Sequence, residues 1–175
     1  MSTIDRHWYA LYLRSRFEKK VFKDLQEKNI ESFLPLIEEI HVWSDRKRKV
    51  QEPLFRGYVF VKTGLLDRHT ILETNGVIRF VGIRGKPSVI SDKEIDWLRR
   101  IIQKPEHVQR ERYLDVGETV RVVAGPLMGV EGIVRQLNGR TRVVISLASI
   151  VQSVSVQVDE ELLEPVHAQE RLYAI

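Results

Sequence analysis

The chain contains no cysteine. That excludes disulfides, thiolate-built zinc sites and thiol nucleophiles, and it fits an intracellular location. No apolar run approaches the roughly 18 residues of a membrane span, and the N-terminal Met-Ser-Thr-Ile-Asp-Arg-His lacks a signal-peptide core. A cytoplasmic protein that does not enter a membrane is expected. There is no Gly-x-Ser-x-Gly, no phosphate loop ending in Lys-Ser/Thr, and no cluster of His, Asp and Glu at ligand spacing. Glu38-Glu39 and Glu160-Glu161 are neighbours in sequence only, because adjacent strand residues face opposite ways. An enzyme is therefore not expected, nor a metal or other cofactor.

What is present is a chain of 175 residues, 43% hydrophobic, with room for one medium domain or two small ones. Its charge is uneven. Residues 1–112 carry 23 Lys/Arg against 16 Asp/Glu, or +7, whereas residues 113–175 carry 5 against 8, or −3. The halves should meet different partners, and the positive one is compatible with nucleic-acid phosphates.

Residues 8–13 read as a buried strand, and Arg16 to Ile30 carries Phe17, Val21, Phe22 and Leu25 at helical spacing with a basic opposite face. Strands over 31–43 and 52–62 flank the run Arg46-Lys47-Arg48-Lys49, which reads as an exposed hairpin tip. A short helix over 65–74 and a strand over 77–83 follow. Ser91 and Glu94 form a capping box for a helix with Ile95, Leu98, Ile101 and Ile102 on its apolar side, ended by Pro105. The polar stretch from 103 to 112 reads as a linker. These features give an α+β domain with a mainly antiparallel sheet over residues 1–104, a linker over 105–112 and an all-β domain over 113–175.

The C-terminal part is the most informative. Glu118 to Val123 alternates polar and β-branched residues, Gly125-Pro126 ends that strand, and Gly129 and Gly132 permit backbone conformations or approaches that a side chain blocks. Strands over 133–137 and 142–147 meet at Asn138-Gly139, a hairpin signal, and 150–158 alternates again. A small closed barrel or strongly bent sheet is expected. The β-branched content predicts that this part stays a barrel rather than becoming helical. The segment 116–134, with Gly117, Gly125, Gly129 and Gly132, resembles a KOW motif, found in proteins of the transcription and translation apparatus.

The order of features also resembles a family. Trp8-Tyr9, the run Glu52-Pro53-Leu54-Phe55-Arg56-Gly57-Tyr58-Val59-Phe60-Val61, Gly76-Val77-Ile78-Arg79-Phe80-Val81-Gly82 and Ile90-Ser91-Asp92-Lys93-Glu94 are similar to the N-terminal domain of the NusG/Spt5 family. With the KOW segment the resemblance spans about residues 7–166. It implies a bacterial transcription elongation factor, expected to be a monomer, that binds RNA polymerase through an apolar depression receiving the clamp helices. The matching positions are Tyr12, Phe55, Tyr58, Phe60 and Phe80, although aromatics on strands are ordinarily core residues. A second contact, with the opposite polymerase lobe, is implied at Arg68, His69 and Thr70. Contact with the non-template DNA strand is implied at Arg14, Arg16, Lys19, Lys20 and Lys23, where a solvated helix face is the ordinary reading. The KOW domain would recruit a ribosomal protein or a termination factor. Glu52-Pro53-Leu54-Phe55 and the compact spacing look closer to the RfaH-like and UpxY-like operon-specific antiterminators than to the general factor. A general factor coupling polymerase to the ribosome or to termination is the alternative. A ribosome-associated RNA-binding protein is a third reading, disfavoured by the acidic C-terminal part.

Overall fold

The computed structural model describes residues 5–42, 47–64, 66–104, 108–111, 117–137, 140–147 and 150–166. The chain divides into two compact units, Met1–Leu98 and Arg99–Ile175.

The first unit is built around β1 (His7–Leu13). This strand pairs antiparallel with β5 (Tyr58–Thr63) on one side, and with β6 (Val77–Phe80) and β9 (Val89–Ile90) on the other. β2 (Glu31–Phe33) adds to the far side of β5. The residues of β1 alternate between two covered faces. Leu11 and Leu13 join Val59 and Val61 beneath α1 (Glu18–Glu27) and α2 (Arg68–Leu72), in a cluster with Val21, Leu25, Ile30, Leu34 and Ile71. Trp8 and Ala10 lie on the opposite face, where the Trp8 indole donates to Asp92 Oδ1 (3.1 Å) at the first turn of α3 (Asp92–Ile101). Val59 and Val61 have no exposed surface, and neither does Phe60. The sheet is therefore buried on both sides at its centre, where a single buried face would leave Phe60 in solvent.

Several expected elements are divided or shortened. The strand expected over 31–43 breaks at Pro35, which has no N–H to donate, and its carbonyl accepts from Leu54 N at 2.8 Å. β3 (Leu36–Val42) and β4 (Lys47–Pro53) then form a two-stranded ribbon of their own. Lys47 to Lys49 are strand residues of that ribbon, while Arg46 lies outside the described residues. The strand expected over 52–62 breaks at the turn 54–57, where Gly57 sits at φ +82°. The first helix begins at Glu18, because Arg16 occupies the left-handed region (φ +66°) in the turn after β1. The strand expected over 77–83 stops at Phe80, and β7 (Gly82–Ile83) pairs instead with β8 (Lys86–Pro87). The expected capping box is formed: Glu94 N donates to Ser91 Oγ (3.2 Å), and Ser91 N donates to Glu94 Oε2 (2.9 Å).

The second unit is an antiparallel sheet of six strands in the order β10-β14-β13-β12-β11-β15. The strands are β10 (Val108–Glu111), β11 (Thr119–Val122), β12 (Glu131–Leu137), β13 (Arg140–Leu147), β14 (Gln152–Gln157) and β15 (Leu163–Pro165). β10 corrects the expected linker, since residues 108–111 pair with β14 from Val108↔Val156 to Glu111↔Ser153. One apolar residue in four gave no period to read; main-chain bonds to β14 make this strand. Asn138-Gly139 lies outside the described residues, but the strands it would join are paired from Ile133↔Val144 to Leu137↔Arg140. Gly132 is needed for a close approach: a Cβ there would lie 2.4 Å from Val144 O and 2.7 Å from Val143 Cγ1. Gly125 and Gly129 hold positive φ in the loop between β11 and β12, and Gly117 lies just before β11. The core is aliphatic, with Val143 paired to Val156 and Ile145 to Val154. Arg142 is buried among these strands and donates to Ser155 Oγ (2.8 Å) and Ser155 O (3.0 Å), which answers the cost of burying its charge.

Candidate polymerase-binding face and its basic border

The register of β1 sets which aromatics share a surface. Tyr12 lies opposite Tyr58 on β5 and opposite Arg79 on β6. These three side chains meet on the face of the sheet that carries Trp8, Ala10 and Phe60. The tyrosine rings are tilted at 5.6 Å between centroids, and the Arg79 guanidinium stands 5.4 Å from the Tyr12 ring. Tyr12 is 37% exposed, Arg79 is exposed, and Tyr58 is half-buried. Burial raises the Tyr58 hydroxyl above the usual tyrosine range, and neighbouring Tyr12 raises it further, with Arg79 opposing both.

Phe55 and Phe60 occupy a different place from the one a contact requires. They are 2% and 0% exposed and stack edge to face at 6.0 Å, with Phe33 at 6.2 Å from Phe60. Phe60 lies two residues along β5 from Tyr58 on the same face, and both phenylalanines offer a partner almost no surface. Phe80 falls on the opposite face, opposite Leu11 and edge to face with Tyr9 at 5.9 Å, and the Arg68 guanidinium lies 5.6 Å from its ring. The five aromatics expected to act together are thus split into an exposed Tyr12 with a half-buried Tyr58, a buried pair and one residue across the sheet.

Arg68 and Phe80 form a second locus with α2. His69 and Thr70 are exposed there, with His69 Nδ1 3.2 Å from Glu73 Oε2. Lys28, following α1, fixes this short helix by donating to Thr70 O (3.2 Å) and Thr74 Oγ1 (2.8 Å).

Beside Tyr12 a groove of about 750 Å³ runs between the N-terminal end of α1 and the base of the ribbon, lined by Arg16, Lys19, His41, Glu52 and Arg56. Glu18 organises its wall. Its carboxylate is buried and accepts the Gly57 N–H at 2.7 Å, locking the turn that precedes β5 to the start of α1. Of the five basic residues expected along DNA, Arg16 and Lys19 reach this groove and Arg14 is exposed beside it in sequence. Lys20 lies over the Phe17 ring (5.6 Å), and Lys23 pairs with Glu27 (3.7 Å), further along the helix. Arg79, Arg56 and Glu18 were missed by the sequence reading. Arg79 meets Tyr12 because β6 pairs with β1 in the register Leu11↔Phe80 and Tyr12↔Arg79, and nothing in the residue pattern announces that pairing. Among the described residues no group of three His, Cys, Asp or Glu side chains is gathered as metal ligands, and no helix is long and apolar enough to cross a membrane.

The family profile described as "Transcription termination factor nusG" matches residues 6–99, more than half of the chain. The chain belongs to the NusG family. Its similarity extends over most of the sequence. The NusG transcription termination/antitermination protein of Pseudomonas aeruginosa is 28% identical over 175 residues, covering 92% of this chain and 99% of the relative. The protein of the same name from Staphylococcus epidermidis is 32% identical over 148 residues, covering 75% and 80%. Among solved structures, one described as "Domain interaction in Thermotoga maritima NusG" matches with a TM-score of 0.59 at 20% identity, covering 93% of this chain and 98% of that one, which shows a shared fold. Membership of the NusG family makes this chain a transcription factor, not an enzyme.

Proposed function

We propose that this protein is a NusG-type transcription elongation factor that binds RNA polymerase through the Tyr12–Tyr58–Arg79 face of its first unit. The observation that carries the reading is the pair of an exposed Tyr12 and a half-buried Tyr58, with the Arg79 guanidinium over the Tyr12 ring and the buried Phe60 further along the same strand face. Rigid aromatics with an arginine at the rim are the anchors that dominate protein interfaces, and here they are supported before a partner arrives. The partner element is the tip of the clamp helices; holding the clamp closed over DNA favours the processive conformation. Arg68, His69 and Thr70 supply a second contact to the opposite lobe. Arg14, Arg16 and Lys19 lie along the exposed non-template strand, with Lys20 and Lys23 as outlying phosphate contacts. The second unit, read as a KOW barrel of SH3-like form, tethers a ribosomal protein or a termination factor.

The general role is preferred to operon-directed antitermination, because relatives aligned over most of the chain carry the general name. The motif that pointed to a specialised member also has a structural reason: Leu54 and Phe55 are buried, so the turn they form is a core feature. Operon-directed action is the second reading, kept for the compact spacing of the first unit. Single-round transcription on a terminator-bearing template with purified bacterial RNA polymerase tests both. Altered pausing or read-through on an unrelated template supports the general role, and an effect confined to one leader sequence supports the specialised one. No effect and no polymerase binding would remove the basis of either.

A further inference from the structure

The first helix is tied at both ends to the elements that carry the two polymerase contacts proposed above. At its start the Glu18 carboxylate accepts the Gly57 N–H (2.7 Å), in the turn that leads into Tyr58. At its end the chain closes on a left-handed Asn29 (φ +56°), with Asn29 N donating to Gln26 O (2.9 Å) and Ile30 N to Leu25 O (3.0 Å). Ile30 is buried, so the backbone that carries Lys28 leaves the helix in a fixed direction. Lys28 then crosses to α2, where its ammonium donates to Thr70 O (3.2 Å) and Thr74 Oγ1 (2.8 Å). Between these ties α1 is a helix of 10 residues, about 15 Å long. Val21 and Leu25 seat it in the core.

The short second helix needs such a tie. With 5 residues it is too short to be stable alone, and its buried residue is Ile71. One buried side chain holds a helix down without fixing its rotation about that anchor. The start of α2 is fixed by Arg68, whose guanidinium stands over the Phe80 ring. At its end Thr74 N turns to Ile71 O (3.1 Å), and the Thr70 carbonyl accepts from the Thr74 hydroxyl (3.1 Å) and from the Lys28 ammonium. A charge-assisted bond on that carbonyl orients the turn that carries His69 and Thr70. Lys28 itself is exposed, so global stability gains little from it. We propose that Lys28 is a positioning residue for polymerase binding: it holds Arg68, His69 and Thr70 at a set distance from the Tyr12–Tyr58–Arg79 face, with α1 as the spacer. This rests on the two-contact reading given above. Two contacts joined rigidly bind as one, because the second meets its partner without a fresh search, and a loosened α2 forfeits part of that advantage.

The test is a double-mutant cycle on the affinity of the full chain for core RNA polymerase. Lys28→Met keeps the stem and loses the donors; it is measured alone and combined with His69→Ala/Thr70→Ala, which removes the contact side chains. Lys28→Met is expected to weaken binding about fivefold in the wild-type background and to have no further effect once His69 and Thr70 are gone. Because Lys28 is exposed, the variant should keep the wild-type unfolding transition. In the free protein, hydrogen exchange should quicken at the Ile71, Glu73 and Thr74 amides and stay unchanged in α1. Wild-type affinity in Lys28→Met, an equal loss in both backgrounds, or wild-type exchange at α2 overturns the proposal. An equal loss would mean that Lys28 acts by itself and not through α2. Wild-type affinity in His69→Ala/Thr70→Ala is a different failure: it removes the second contact from the proposed function, and this proposal with it.

Discussion

The two units solve the same packing problem with different residues. Twelve of the fourteen aromatic residues lie at or before Trp97, and the second unit has a core of Val, Ile and Leu. An aliphatic β core lets strands approach closely, as at Gly132, and hides nearly all of β13. The aromatic core of the first unit buries Trp8, Phe55 and Phe60 at the centre of the sheet and leaves Tyr12 and Tyr58 at its end, where the cover stops. The second unit buries most of its aliphatic side chains in its own core, with Met128 and Val151 left exposed among the described residues. The other retains an anchored remainder, and the charge follows the same division, positive in the first part and negative in the second.

The largest effect should come from removing the close approach in the second unit. Gly132→Val places a side chain on the Val144 carbonyl and should destabilise that unit by about 3–5 kcal/mol or prevent its folding. All three tryptophans lie in the first unit, so tryptophan fluorescence during urea unfolding should be unchanged while far-ultraviolet circular dichroism loses its β contribution. A shift in both signals together would show that the units fold as one. Phe60→Ala should do the reverse, costing about 3–5 kcal/mol in the fluorescence transition. A loss below 1 kcal/mol would mean that the core around Phe60 is less tightly packed than its zero exposure implies.

Glu18→Gln weakens a charge-assisted bond to Gly57 N and should cost about 1–2 kcal/mol, read from the same denaturation curves. The smallest effect concerns Asp92, whose carboxyl is held below the usual carboxylate range chiefly by the hydrogen bond from Lys62 (2.7 Å), with Trp8 also donating. Its folded value lies below its unfolded value. Its contribution is therefore present above the ordinary carboxylate range and is lost as pH falls through the folded value. Asp92→Asn should flatten the acid side of the stability profile slightly; an unchanged profile would show that the Lys62 bond does not persist in solution.

The difference between the units also explains what could be read from sequence. Propensity and capping are local, so the Ser91–Glu94 box, the glycine loop of the second unit and the strands around Asn138-Gly139 were legible from short patterns. Breaks inside long apolar runs were not, because Pro35 and the turn 54–57 divide strands whose residues remain equally strand-like on both sides. β10 was invisible because its partner, β14, supplies the reason for it. For the candidate site the aromatic residues were visible, but their grouping was not. Alternation places Tyr58 and Phe60 on one face without saying that the face is covered at Phe60 and open at Tyr58. Arg79 joins Tyr12 through the pairing of β6 with β1, a tertiary fact with no local signature.

The central claim is that the exposed end of the aromatic face, and not the buried Phe55 and Phe60, meets the polymerase. It is tested most directly by measuring the affinity of the full chain for core RNA polymerase, comparing wild type with Tyr12→Ala/Arg79→Ala. Both side chains reach solvent, so the variant should lose no more than about 1 kcal/mol of stability and keep its unfolding transition. The account predicts that its affinity falls at least about tenfold, or about 1.4 kcal/mol. Wild-type affinity in the folded variant would contradict it, and would move the contact to the α2 locus or to the second unit.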